Sequence, residues 1–108
     1  MNWERWKISK TLAFSKQAWE EYLYWQTQDK KTLKKINNLL EGLQRDNQEI
    51  IGKAERLVGN LSGHCSIKIN SKDRLVYQVK NQIIEVKQCK GHYDDKWKRS
   101  LMLLFCFY

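Results

Sequence analysis

The sequence predicts an α+β domain: two N-terminal helices packed on one face of a small, mainly antiparallel twisted sheet. Three observations lead there. Two stretches of helical periodicity occupy the first half of the chain, and three runs of period two, His64 to Asn70, Arg74 to Val79 and Gln82 to about Lys90, occupy the second. The full length of 108 residues suits one domain with one modest core.

Thr11 to Phe14 alternates weakly and reads as a short first strand. Ser15 is placed to cap a helix reaching about Gln28, on which Ala18, Tyr22 and Trp25 share a face. Asp29 is placed to cap a second helix with an apolar stripe of Leu33, Ile36, Leu40 and Leu43. Lys30, Lys31, Lys34 and Lys35 lie mostly off that stripe, either as a solvated face, the commoner case, or as a surface for phosphates. From Asn47 to Gly63 the periodicity breaks, and Gly52, Gly59 and Gly63 punctuate a charged, irregular loop.

Burial sets the expected strand register, because a slip of one residue turns every side chain to the other face. A three-residue loop, Ser71 to Asp73, sets Cys65, Ile67 and Ile69 opposite Val79, Tyr77 and Leu75 and makes one apolar face. A two-residue turn at Lys80-Asn81 then sets Tyr77 opposite Ile84 and Leu75 opposite Val86. The other face collects Ser66, Lys68, Asn70, Arg74, Gln78, Glu85 and Lys87 and is expected to be open to a ligand, since the helices cover the apolar side.

Twenty Lys and Arg against 12 Asp and Glu give a formal net charge of +8, which favours a polyanionic partner. Three cysteines without paired spacing indicate neither a disulfide framework nor a zinc site and suit a reducing cytoplasm. Two histidines and no Gly-rich phosphate loop point away from metal or cofactor chemistry. No stretch approaches the ~20 apolar residues of a membrane span, and the first residues lack a signal-like apolar run. The expectation is a cytoplasmic protein that acts without metal or cofactor.

Several segments, in order, resemble the YoeB/Txe toxins of the RelE superfamily. The stretch from Ala18 to Lys31 and then Leu33 to Leu40 resembles their opening helices. Gly52-Lys-Ala-Glu-Arg-Leu is similar to the family's Gly-Lys-Pro-Glu-Pro-Leu block, Asn60-Leu-Ser-Gly to its next landmark, Arg74-Leu-Val-Tyr to its central strand and Gly91-His-Tyr to its C-terminal catalytic end. The resemblance spans about residues 11 to 93. It implies a messenger RNA endonuclease that works on the ribosome, makes ribosomal RNA contacts and is neutralised by a YefM/Phd-like antitoxin, with a homodimer also open. A ParE-like relative that only binds its target, or a catalytically impaired homologue, are the competing readings.

By the same resemblance Glu55 matches the general base, Arg74 the phosphate-stabilising arginine and His92 the general acid. Lys68, Tyr93, Lys53 and Lys87 are the further candidates for RNA or phosphate contact. Such a set meets the needs of metal-free RNA cleavage: a base for the 2′-hydroxyl, an acid for the 5′-oxygen and a cation for the phosphoryl charge. Without the family, Glu55 reads as a solvated loop carboxylate, and Arg74 equally as a rim arginine pairing with Asp73 or Glu85. Strand parity places Cys89, Gly91 and Tyr93 on the Arg74 face and turns His92 inward, unless Gly91 supplies a bulge that reverses it. His64 has no matching catalytic position and reads as structural or incidental. Ala54-Glu55-Arg56 replaces the proline-containing block, so the loop holding Glu55 is expected to be less preorganised.

The ends depart most from the pattern. Residues 1–10 form an N-terminal extension, 11–93 the toxin-like domain, and 94–108 an atypical C-terminal extension ending in Leu-Met-Leu-Leu-Phe-Cys-Phe-Tyr.

Overall fold

The structure, a computed structural model, describes residues 10–91. The expected N-terminal extension apart from Lys10, the two candidates His92 and Tyr93, and the segment 94–108 lie outside the described residues. The element order is β1 (Thr11–Phe14), α1 (Lys16–Gln28), α2 (Lys30–Gln44), α3 (Gln48–Ile51), β2 (Glu55–Arg56), a 3₁₀ turn (Gly59–Leu61), β3 (Cys65–Lys68), β4 (Arg74–Lys80) and β5 (Ile83–Gln88).

Local chemistry starts the two long helices where the residues predict. Ser15 Oγ accepts the Ala18 N–H at 3.0 Å, and Asp29 Oδ1 accepts the N–H groups of Lys31 and Thr32, each at 3.1 Å. Asn47 caps α3 in the same way, accepting from Glu49 and Ile50. The stretch expected to be an irregular loop therefore contains a helical turn and a two-residue strand, which pairs with β3 through Glu55–Ser66 and Arg56–Cys65.

The sheet order is β1-β5-β4-β3-β2, with β1 parallel to β5 and every other pair antiparallel. Ala18, Trp25, Ile36, Leu39, Leu40 and Leu43 of the helices pack against Ile67, Leu75, Tyr77, Ile84 and Val86 of the sheet. Burying this face is the main source of stability, at roughly 25 cal/mol per Å² of apolar surface.

Both hairpin registers differ from expectation by two residues. In β3–β4 the partners are Cys65–Tyr77 and Ile67–Leu75, so the connection is five residues, 69–73, rather than three. The extra length is bonded to itself: Asn70 Oδ1 accepts the N–H groups of Lys72 and Asp73, and the Asp73 carbonyl accepts that of Ile69. In β4–β5, Lys80 pairs with Ile83, and the turn is Asn81-Gln82 instead of Lys80-Asn81. Both turn residues have left-handed φ, 49° and 65°, as a two-residue hairpin of type I′ requires. A shift of two keeps the expected faces.

A bulge breaks the alternation farther along β5. Tyr77 pairs with Val86 but Val76 pairs with Gln88, so Lys87 is an extra residue on β5. Parity reverses after it. Cys89, expected on the Arg74 face, is instead wholly buried in the core beneath the helices.

Candidate active site

Cross-strand pairing brings three of the sequence candidates to one face. Glu55 pairs with Ser66, Lys68 stands two residues farther along β3 on the same face, and Lys68 pairs with Arg74. Directly paired residues are about 5 Å apart and alternate residues about 7 Å along a strand, so one phosphodiester group fits among the three. Glu55 and Lys68 are exposed and Arg74 is half-buried. Lys53 is exposed at the turn between α3 and β2, where its N–H donates to the Ile50 carbonyl.

Arg74 is oriented by backbone. Its Nη1 donates to the carbonyls of Asn70 at 2.7 Å and Asp73 at 3.1 Å, and among the described residues no hydrogen bond engages its other side-chain nitrogens. A guanidinium held by one nitrogen presents its remaining N–H donors in a fixed direction, which suits recognition of phosphate oxygens. Glu85, the alternative partner, lies instead 3.8 Å from Lys87 Nζ.

The chain also returns to Arg74 at its far end. The Arg74 N–H donates to the Gly91 carbonyl at 3.1 Å, and the Gly91 N–H donates to Asp73 Oδ1 at 2.7 Å. Gly91 has φ +79°, a conformation that suits glycine. The residue next to His92 in sequence is thus bonded directly to Arg74.

The polar face is less open than expected. The segment from Leu57 to His64 folds over part of it: a Cβ on Gly63 would meet Gln78 Nε2 at 3.1 Å, and His64 feels the charges of Lys87 and Glu85. Ser66, Lys87 and Gln88 are buried, as is Val76 on the same face. Lys87 keeps its predicted side of the sheet but not the exposure of a surface cation; its stem is covered and its ammonium faces Glu85. Alternation assigns the side of a strand and carries no information about a distant segment crossing it. His64 lies in this segment: its backbone closes the turn by bonding Leu57 and Leu61, and burial, then the Lys87 charge, lower its pKa.

The model of the YoeB-like toxin of bacterial type II toxin-antitoxin systems matches residues 14–93. The chain belongs to this family. It is 44% identical over 83 residues to the YoeB toxin of Synechocystis sp., covering 77% of this chain and 96% of that toxin. It is 43% identical over 82 residues to the YoeB toxin of Escherichia coli K12, covering 76% and 98%. Among solved structures it is similar to the YoeB–YefM complex from Staphylococcus aureus, with 45% identity, a TM-score of 0.68 and coverage of 78% of this chain and 98% of that one. The YoeB dimer from the same organism gives 41% identity and a TM-score of 0.68, covering 79% and 99%. The YoeB-like fold is thus the α+β arrangement expected from the sequence.

Proposed function

We propose that this YoeB-like toxin is an endoribonuclease that cuts messenger RNA on the ribosome without a metal. The observation that carries the reading is the shared face of Glu55, Lys68 and Arg74, with the Gly91 turn bonded to Arg74 at its edge. Glu55 takes the proton of the ribose 2′-hydroxyl as that oxygen attacks the adjacent phosphorus. Arg74 and Lys68 stabilise the added phosphoryl charge. His92 gives a proton to the 5′-oxygen as the P–O bond breaks, leaving a 2′,3′-cyclic phosphate and a 5′-hydroxyl. Tyr93 and Lys53 contact the RNA, while Lys87, covered and turned to Glu85, is left out of the direct contacts.

Net charge +8 supports a polyanionic target. The YoeB–YefM complex of the Staphylococcus aureus relative supports control by an antitoxin of the YefM/Phd kind, which on this reading covers the Arg74 face in the cytoplasm. The dimer of the same relative makes a homodimer a second assembly to test.

The test is purified toxin added to ribosomes carrying a defined message, with the new RNA ends mapped and their chemistry identified. Glu55→Gln and His92→Gln are expected to slow cleavage by roughly two orders of magnitude or more. Parent-like cleavage in either removes that residue from its role. A protein that binds ribosomes but leaves the message intact establishes the impaired reading.

A further inference from the structure

We propose that Asp73 is a positioning residue of this site, holding Gly91, the last residue before His92, against Arg74. The inference rests on the reading that Arg74 and His92 act on one phosphate.

β5 ends at Gln88, so the sheet ladder stops short of Gly91. Five hydrogen bonds to its backbone hold the chain between Cys89 and Gly91. Trp25 Nε1 donates to the Cys89 carbonyl at 2.9 Å, and Glu21 Oε1 accepts the Cys89 N–H at 2.8 Å. The third runs to the buried Asp73 carboxylate, which accepts the Gly91 N–H at 2.7 Å, while the Gly91 carbonyl accepts from Arg74 N and from Gln88 Nε2 at 2.7 Å. Gly91 is therefore gripped on both its polar backbone atoms by the adjacent pair Asp73 and Arg74.

Asp73 is itself immobilised. Its N–H donates to Asn70 Oδ1 at 2.8 Å, and its carbonyl accepts from Ile69, Asn70 and Arg74 Nη1. One residue thus orients the Arg74 guanidinium through its carbonyl and the approach to His92 through its carboxylate. A hydrogen bond from N–H to a carboxylate is among the stronger kinds, and a reacting group displaced by about 1 Å can cost on the order of a hundredfold in rate.

Single-turnover cleavage by Asp73→Ala on ribosomes is expected to fall about tenfold to a hundredfold with ribosome affinity unchanged. Asp73→Asn, which keeps an acceptor oxygen, is expected to restore most of the rate. In a His92→Gln background, Asp73→Ala should add nothing. Amide exchange at Gly91 should accelerate in Asp73→Ala while that at Leu75 and Tyr77 stays slow. If Asp73→Ala does not fold, Asp73→Ser, whose hydroxyl is too short to reach Gly91, carries the same expectations. Unchanged cleavage in Asp73→Ala beside a slow His92→Gln overturns the positioning role and leaves the functional reading standing. Parent-like cleavage in His92→Gln overturns that reading and this proposal with it.

Discussion

The indole N–H of Trp25, on the first helix, donates to the carbonyl of Cys89 at 2.9 Å, inside the core. This bond ties α1 to the residues just beyond the last strand. Trp25→Phe keeps most of the apolar area but leaves a buried carbonyl without its donor, so we expect a loss of about 1–3 kcal/mol. Chemical denaturation measures it directly. An unchanged midpoint would mean that water replaces the indole.

Arg74 lies at the surface of the site, and its side chain bonds only two loop carbonyls among the described residues. Arg74→Ala should therefore fold, with Tm lowered by only a few degrees for about 1 kcal/mol lost. Cleavage on ribosomes should fall by about two to three orders of magnitude, as for loss of one preorganised donor to developing charge. Equal cleavage by variant and parent would remove Arg74 from the chemistry.

Gln82 occupies a left-handed conformation, φ 65°, in the two-residue turn, where its carbonyl also accepts the Thr11 N–H at 2.9 Å. Glutamine carries a Cβ penalty there that glycine avoids, whereas Asn81 at φ 49° tolerates the region better. Gln82→Gly is expected to stabilise the domain by about 0.5–1 kcal/mol, even after the added freedom of the unfolded chain. Thermal unfolding of the two proteins side by side tests this, and a lower Tm for the variant contradicts it.

His64 is enclosed by the segment that crosses the sheet, and burial pushes its pKa below the ordinary 6.5. The unfolded chain therefore takes up a proton on His64 at a pH where the folded one does not. Stability from this group is complete above about pH 6.5 and is lost as the pH falls from there towards the lowered folded value. The Tm of the parent should drop more between about pH 8 and about pH 5 than that of His64→Gln. Parallel pH profiles for the two would show that His64 protonates as easily folded as unfolded.

The sequence by itself determined the two long helices, their N-caps and the two faces of the sheet. Ser15 and Asp29 announce helix starts because the capping bonds run to N–H groups only two or three residues away. The faces survived a register error of two residues because side-chain direction repeats every two. The candidate set Glu55, Lys68 and Arg74 was legible through family resemblance and strand parity together. Only the tertiary structure decided the rest. The length of the 69–73 connection depends on the Asn70 side chain satisfying the backbone, and the bulge at Lys87 sends Cys89 into the core. Burial of Lys87 and the grip of Asp73 on Gly91 join residues far apart in the chain, and no local periodicity encodes contacts of that kind.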